Sequence, residues 1–139
     1  MQAVGIDLGT TSICGVAINV ETGLVEQSLN LPNGQFLKGE PFEKLQDPIK
    51  IVNTALQVLT KLLSAQTVAI GVTGQMHGIV YLNKSGKAVS PLYTWQDERG
   101  NLPYRSTTYA KHLNSYSGYG NVTDFYNQQN GVRPAQAVG

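Results

Sequence analysis

The sequence predicts an α/β fold in which a mixed β-sheet is flanked by helices. Two segments, the mostly apolar Ala3–Asp7 and the apolar, β-branched Ile13–Val20, lie on either side of a turn made of Gly and Thr residues. A segment with apolar residues at helical spacing begins after Asp47, and the short apolar run Val68–Thr73 follows it. Strands joined by a tight turn pair antiparallel, whereas a strand that follows a helix is typical of a parallel neighbour. Together these features predict a mixed sheet with a helix against it.

The chain begins with a predicted three-stranded antiparallel meander. Ala3–Asp7 and Ile13–Val20 are its first two strands, and Glu21-Thr22-Gly23 turns the chain. Leu24–Leu31 alternates weakly between apolar and polar residues, which predicts a third strand, and Pro32-Asn33-Gly34 ends it.

One amphipathic helix follows an irregular connection, Gln35–Gln46. The Asp47 side chain can accept hydrogen bonds from the first free amides of a helix, and Pro48 loses nothing at the first helical position. The continuous apolar run Val68–Thr73 after the helix predicts a strand that is buried on both faces. The predicted helix has one apolar stripe, composed of Val52, Ala55, Leu56, Leu59, Leu62 and Leu63.

The second half of the chain predicts a hairpin and one further helix. Ile79–Leu82 and Ala88–Leu92 are joined by Asn83-Lys84-Ser85-Gly86, which is typical of a turn. A helix is expected near Tyr104–Tyr116. We expect residues 1–139 to form a single domain, and the final residues, Ala135–Gly139, resemble the opening of a further segment, which predicts a piece of a longer protein.

The composition excludes several classes of partner. Ten Lys and Arg against nine Asp and Glu give a net charge of +1, which supplies no electrostatic reason to expect nucleic acid or an anionic membrane. Only 14% of the residues are charged, a shortage that indicates a buried or partnered face and is compatible with a homodimer. The single cysteine, Cys14, cannot form an internal disulfide, and no leader precedes the first strand, which favours a cytoplasmic location.

The first candidate site is the turn between the first two strands, with Asp7 before it and Gly9, Thr10, Thr11 and Ser12 in it. Glycine permits a close approach of the backbone, successive amides form a concavity that binds anions, and hydroxyls add donors. A carboxylate beside bound phosphates requires a cation between them, most simply hydrated Mg²⁺. An ordinary hairpin is the alternative, but the longer string between two strands favours a phosphate site.

The second candidate site is Gly74-Gln75-Met76-His77-Gly78, which follows the strand predicted to be buried. Ligands of open α/β sheets bind where such strands end. Gln75 and His77 offer donors and acceptors suited to sugar hydroxyls, and the two glycines let a ligand approach the backbone. A structural histidine is the alternative, which the bracketing glycines disfavour.

The third candidate site is Trp95-Gln96-Asp97-Glu98-Arg99, which contains the only tryptophan of the chain. Trp95 can lay its ring against a sugar while Asp97 and Arg99 hydrogen-bond hydroxyls. The alternative is a core tryptophan beside a solvated Asp97–Arg99 pair, which would contribute little to stability. The residues alone favour neither interpretation.

These strings, in this order, resemble the N-terminal part of the FGGY carbohydrate kinases, the sugar kinases of the actin and Hsp70 superfamily. Gly5–Thr11 resembles the superfamily's first phosphate motif, which Hsp70-type chaperones share. Gly74–Gly78 resembles the xylulokinase and sedoheptulokinase branch in particular. Trp95–Arg99 resembles the family's Trp-Asn-Asp-Gly-Arg segment, with Gln96 in place of Asn and Glu98 in place of Gly.

The resemblance implies a ribonuclease H-like fold, of which residues 1–139 would be the N-terminal part of the first domain. It implies that Asp7 helps to hold Mg²⁺ and that the turn that follows it lies against the phosphates of ATP. It also implies that Gln75, Met76 and His77 line the sugar site. Trp95, Asp97 and Arg99 would lie around that site or support it.

The implied activity is ATP-dependent phosphorylation of a sugar hydroxyl, with a ketose such as xylulose or sedoheptulose as acceptor. The family's catalytic aspartate would lie beyond residue 139, so we expect no catalytic base in this chain and no activity from residues 1–139 alone. Two alternatives remain: a nucleotide-switched, chaperone-like protein of the same superfamily, and a non-catalytic sugar-binding module.

Overall fold

The computed structural model describes residues Met1–Gly139, which form two compact units. The sheet unit comprises Met1–Gln35 and Ile49–Gln75, and the aromatic unit comprises Phe36–Pro48 and Met76–Gly139. None of the helices is long and apolar enough to cross a membrane. In chain order the elements are β1 (Gln2–Leu8), β2 (Ser12–Asn19), β3 (Val25–Pro32), β4 (Leu45–Gln46), α1 (Pro48–Leu62), β5 (Thr67–Gly74), β6 (Leu92–Tyr93), a 3₁₀ turn (Arg99–Asn101), β7 (Pro103–Tyr104), β8 (Thr107–Thr108), α2 (Tyr109–His112) and α3 (Gly120–Gln129).

The sheet unit contains the mixed sheet that the sequence predicts. Its strand order is β3-β2-β1-β5, with β1, β2 and β3 pairing antiparallel and β5 pairing parallel to β1. Both β1 and β5 therefore end at the same edge of the sheet, and the turn after β1 lies beside the residues that follow β5. In this arrangement the first two candidate sites begin next to each other.

One face of the antiparallel strands forms the core of the sheet unit. Val4 and Ile6 alternate inward on β1, and Ile13 is fully buried on β2. A Cβ atom at Gly15 would lie 2.5 Å from side-chain atoms of both Val58 and Leu62, so the absence of a side chain there lets α1 approach β2 closely.

Helix α1 begins at Pro48, as predicted, but the predicted stripe is only partly correct. The buried residues of α1 are Ile51, Val58 and Leu62, whereas Val52 and Leu56 are more than half exposed. The apolar positions of this helix are spread over more than one face, and the strands beneath it cover the face that includes Val58.

Strand β5 was expected to be buried on both faces, and this prediction is wrong. Val68, Ile70 and Val72 are 61%, 51% and 65% exposed. The strand lies at the edge of the sheet with β1 as its single neighbour, and Val58 and Leu62 of α1 lie against Gly15 on β2, on the other side of β1. An apolar run indicates a strand but does not show which of its faces receives a partner.

The predicted second hairpin is present in an irregular form. Leu82 pairs with Ala88 across the turn, but the Tyr81 amide donates to the Ser90 hydroxyl instead of a backbone carbonyl. Pro91 then interrupts the ladder because it has no amide proton. The connection Gln35–Gln46 is irregular as predicted, except that its last two residues form β4 and pair with β6.

The helix predicted near Tyr104–Tyr116 is only partly correct. The short strands β7 and β8 pair across a turn in which Arg105 has a φ of 53°, and only Tyr109–His112 are helical. Helix α3 was not predicted because its sequence is mainly polar and begins with glycine. Phe125 and Tyr126 of α3 belong to an aromatic cluster in which ring contacts join them to Tyr104, Tyr109 and His112.

Candidate functional site

The turn between β1 and β2 is built for close backbone approach. A Cβ atom at Gly9 would lie 2.7 Å from the Ser12 carbonyl oxygen and 3.5 Å from the Asp7 carboxylate, so only glycine fits this position. Asp7 is exposed at the end of β1, immediately before the turn. An exposed carboxylate therefore stands beside a tight turn that carries the hydroxyls of Thr10, Thr11 and Ser12.

Asn33 holds this turn from the end of β3, a role that the sequence pattern did not reveal. Its side-chain amide donates to the Gly9 carbonyl at 2.8 Å, and its backbone amide donates to the Thr11 carbonyl at 2.8 Å. Asn33 is only 6% exposed. The sequence signal was Pro32-Asn33-Gly34, which identifies a turn but not the turn 24 residues earlier that it supports.

A second hydrogen-bonded connection joins the first two candidate sites. The Gln75 amide donates to the Leu8 carbonyl at 3.1 Å, and the Thr10 hydroxyl donates to the Gln75 side-chain carbonyl at 3.2 Å. The start of the Gln-Met-His string therefore contacts the phosphate-type turn directly, although 65 residues separate Thr10 from Gln75.

A positively charged side chain, that of Lys50, lies close to the same turn. A cavity of about 430 Å³ beside Thr11 is lined by the Pro32–Gln35 segment and by Lys50. The Lys50 ammonium donates to the Gln35 side-chain carbonyl at 2.5 Å. The sequence did not single out Lys50, since its position on α1 gives no sign of the approach to β3.

In the second site, Met76 and His77 occupy a strained, exposed turn in the aromatic unit. His77 has a φ of 69°, and the Gly78 amide donates to the Met76 carbonyl at 2.9 Å, which closes a three-residue turn around the histidine. A Cβ atom at Gly78 would lie 2.4 Å from the Tyr93 carbonyl oxygen, so glycine is required there. The Met76 side chain is 69% exposed.

The third site contains an exposed ring above a buried ion pair. Trp95 is 47% exposed, while Asp97 and Arg99 are 1% and 2% exposed. Arg99 Nε and Nη2 donate to the two Asp97 carboxylate oxygens at 2.6 and 3.2 Å. The interpretation of a core tryptophan beside a solvated ion pair is therefore wrong, because the tryptophan is the more exposed group.

The Asp97–Arg99 pair has further partners that only the tertiary structure brings together. The Lys44 backbone amide donates to Asp97 at 3.1 Å, and Arg99 Nη1 donates to the Asn127 side-chain carbonyl at 2.6 Å. The Arg99 guanidinium carbon lies 4.4 Å from the centroid of the Tyr93 ring. Asp97 and Arg99 therefore hold the loop that carries Trp95, and Trp95 is the side chain they leave accessible.

A hydrogen-bonded chain continues from this pair to the surface. Asn127 donates to the Tyr81 hydroxyl, which in turn donates to Asp124 at 2.7 Å. Burial, reinforced by the hydrogen bond to Asp124, raises the pKa of Tyr81 above its usual range. Partial burial acts to raise the pKa of Asp124, but hydrogen bonds from Tyr81, Gln128 and Arg133 outweigh it and hold that pKa below its ordinary value.

One protein-family model matches most of the chain. The model of the FGGY family of carbohydrate kinases, N-terminal domain, matches residues 2–127. Mouse sedoheptulokinase is 30% identical over 158 residues, a match that covers 88% of this chain and 32% of the mouse protein. Xylulose kinase from Lactococcus lactis is 31% identical over 100 residues and is matched over 68% of this chain and 20% of that protein. The chain thus matches about a third of the mouse relative and a fifth of the bacterial one.

Two solved structures have the same fold at low sequence identity. A xyloylose kinase from Brucella ovis superposes with a TM-score of 0.81 at 19% identity, covering 94% of this chain and 30% of that one. Plasmodium falciparum glycerol kinase with ADP gives a TM-score of 0.71 at 18% identity, covering 93% and 29%. These neighbours confirm the predicted ribonuclease H-like α/β class, and the family match, which includes all three candidate sites, shows that the chain belongs to the FGGY family of carbohydrate kinases.

Proposed function

We propose that this chain supplies the phosphate-binding turn and part of the sugar site of an ATP-dependent sugar kinase, as the N-terminal part of that enzyme's first domain. The observation that carries the proposal is the pair of hydrogen bonds from Gln75 to Leu8 and from Thr10 to Gln75. They join the turn suited to phosphates to Gln75, the first polar residue of the string suited to sugar hydroxyls. A kinase needs a phosphate site and a sugar site close together because it transfers a phosphoryl group from ATP to the sugar.

The turn at Gly9 provides the phosphate contacts in this proposal. Its amides and the hydroxyls of Thr10 and Thr11 can donate to phosphate oxygens, and Asn33 keeps the turn in shape from the side. Preorganised donors of this kind stabilise charge that develops on a transferring phosphoryl group without a cost of reorganisation.

The donor set at Asp7 suits Mg²⁺. The ion is held in many phosphoryl-transfer sites by one or two carboxylates, water and the substrate phosphates, and Asp7 is one exposed carboxylate beside a phosphate-type turn. No group of three or more His, Cys, Asp or Glu side chains lies close enough together to form an all-protein metal site. Bound Mg²⁺ would neutralise phosphate charge there, and Asp7 would hold it through its carboxylate oxygens.

The sugar contacts fall to Gln75, Met76, His77 and Trp95. Gln75 and His77 have donors and acceptors for hydroxyl groups, while the exposed ring of Trp95 offers an apolar face for the carbon side of a sugar. Asp97 and Arg99 support Trp95 through their buried pair. By their names, the relatives act on xylulose and sedoheptulose, so a ketose is the proposed acceptor.

Membership in the FGGY family favours a kinase over a chaperone-like nucleotide switch. A non-catalytic sugar-binding module is the alternative that an experiment must distinguish from a kinase. The two functions differ at Asp7, because sugar binding alone does not need a carboxylate beside phosphates.

The test is ADP release by the whole natural protein in which these residues occur, with ATP and Mg²⁺, across ketoses, aldoses and polyols. We expect release that depends on a ketose and falls at least about a hundredfold in Asp7→Ala, as is typical when a major electrostatic contact to the transition state is removed. Glu21→Ala, an exposed carboxylate in the turn after β2, is the matched control and should retain activity.

Each other outcome has a distinct meaning. ADP release that does not respond to any sugar would favour a nucleotide switch, and sugar binding without release, unchanged in Asp7→Ala, would establish a binding module. Residues 1–139 alone should release no ADP above background, because the proposed kinase would take its catalytic aspartate from outside them, as the family resemblance implies. A cytoplasmic location and a homodimer stay predictions from the sequence.

A further inference from the structure

The His77 ring stacks on a tyrosine from a distant part of the aromatic unit. The ring centroids of His77 and Tyr119 are 4.2 Å apart and the ring planes differ by only 3°. Tyr119 is the N-cap residue of α3 and is about a third exposed, while His77 is itself exposed. One face of the imidazole is therefore covered, and the ring edge that carries its two nitrogens is not covered by this stack.

The backbone around both rings is shaped to permit this contact. Gly118 has a φ of 82°, and a Cβ atom there would lie 1.9 Å from the Trp95 carbonyl oxygen. At Gly120 a Cβ atom would lie 2.3 Å from the Ile79 side chain and 3.5 Å from the His77 carbonyl oxygen. Two glycines on either side of Tyr119 thus bring it against the segments that carry His77 and Trp95.

The histidine is also held in a costly conformation. A non-glycine residue with positive φ adopts a strained backbone conformation, which persists where the surroundings require it. An exposed side chain gains little from packing, so the strained turn at His77 is not explained by core formation. A requirement for the orientation of the imidazole explains both the strain and the stacked partner.

We propose that Tyr119 is a positioning residue for His77: its ring stacks on one face of the imidazole and directs the ring edge towards the hydroxyls of the sugar. This inference rests on the proposed function and adds to it a residue that lies 42 positions away from the Gln75–His77 string. Tyr119 itself need not touch the sugar, because its effect passes through the orientation of His77.

The test combines ketose kinetics with a double-mutant cycle in the whole natural protein. In Tyr119→Leu we expect the KM for xylulose or sedoheptulose to rise about twofold to tenfold, the range that a stacked aromatic pair supports, with the KM for ATP unchanged. In Tyr119→Phe the stack remains, and the KM should stay within about twofold of the original. Adding Tyr119→Leu to His77→Ala should raise the KM no further, because the residue being positioned is already absent.

An NMR measurement tests the stacking of His77 on Tyr119 independently of catalysis. The imidazole protons of His77, assigned by their loss in His77→Ala, lie over the Tyr119 ring and should move when Tyr119→Leu removes its ring current. Tyr116→Leu is the matched control, since Tyr116 is 71% exposed and its ring is tilted against Tyr119 at 5.5 Å. That variant should leave both the His77 signal and the ketose KM near their original values.

The outcomes separate this inference from the proposed function. If the unsubstituted protein phosphorylates a ketose but Tyr119→Leu changes neither the ketose KM nor the His77 signal, the positioning role is refuted and the kinase stands. Additive losses in the double variant would refute it as well, because they would show that Tyr119 acts by another route. If the unsubstituted protein phosphorylates no ketose, the proposed function fails and this inference fails with it.

Discussion

Replacing Arg99 by methionine tests whether the buried ion pair holds the loop of Trp95. Arg99 and Asp97 have side chains that are 2% and 0% exposed, and the substitution keeps most of the apolar length while it removes the charge. Asp97 would then remain buried as a carboxylate, with backbone amides as its donors. Removing one partner of a buried pair destabilises a protein by about 3–5 kcal/mol because the other charge is left uncompensated.

Two structural details place the expected loss within that range. The amides of Lys44 and Arg99 still donate to Asp97, which reduces the cost, whereas Asn127 also loses the guanidinium donor at 2.6 Å, which adds to it. We therefore expect a fall in the free energy of unfolding of about 4 kcal/mol. With a urea slope of about 2 kcal/mol per molar, the midpoint should fall by about 2 M.

Urea unfolding followed by tryptophan fluorescence measures this loss, since Trp95 is the only tryptophan and lies two residues from Asp97. Arg133→Met is the matched control: its pair with Asp124 has side chains that are 36% and 32% exposed, and such pairs contribute about 0–1 kcal/mol. Equal losses in the two variants, or a loss below about 1 kcal/mol in Arg99→Met, would refute the assignment of the buried pair as the support of this loop.

Three further predictions use other features of the two units. Gly15→Ala should lower the free energy of unfolding by about 1–3 kcal/mol in chemical denaturation, because the added Cβ atom would overlap side chains of α1 at 2.5 Å; an unchanged midpoint would contradict that packing. Gly118→Ala should shift the Trp95 emission spectrum, since the new Cβ atom would meet the Trp95 carbonyl at 1.9 Å, and an unaltered spectrum would count against the close approach. The Asp124 carboxylate, whose pKa is lowered in the folded protein, stabilises the fold at pH values above the ordinary pKa of 3.8, and this stabilisation is lost as the pH falls through the lower folded pKa. In Asp124→Asn the free energy of unfolding should therefore decline less steeply between about pH 5 and pH 2. An equally steep decline in the variant would disprove this contribution of Asp124.

Much of the sheet unit could be predicted because its signals are local. Alternation over a few residues, the turn at Glu21-Thr22-Gly23 and Pro48 at the start of α1 each act within a short stretch of chain. The aromatic unit was less predictable. Its short strands and the polar helix α3 have weak intrinsic preferences, so the aromatic cluster to which their side chains contribute decides their conformation.

The residues of the candidate sites also differ in how far they could be predicted, depending on whether their signals are local. The phosphate-type turn and the Gln-Met-His string are each continuous along the chain, so residue types and spacing alone suffice to recognise them. The sequence did not reveal the roles of three residues that act on distant partners. Asn33 lies 24 positions from Gly9, Asn127 lies 28 from Arg99, and Tyr119 lies 42 from His77. Nothing in the neighbouring residues of these three marks the partner that each contacts.

Residue type, spacing and local turn chemistry were enough to predict the chain order of β1, β2, β3, α1 and β5, the three motifs and the family to which they point. Which of those residues are covered depends on the tertiary structure. It left Val68, Ile70 and Val72 exposed on β5 and buried Asp97 with Arg99. Burial is set by neighbours that distant segments supply, and a linear pattern does not identify those neighbours.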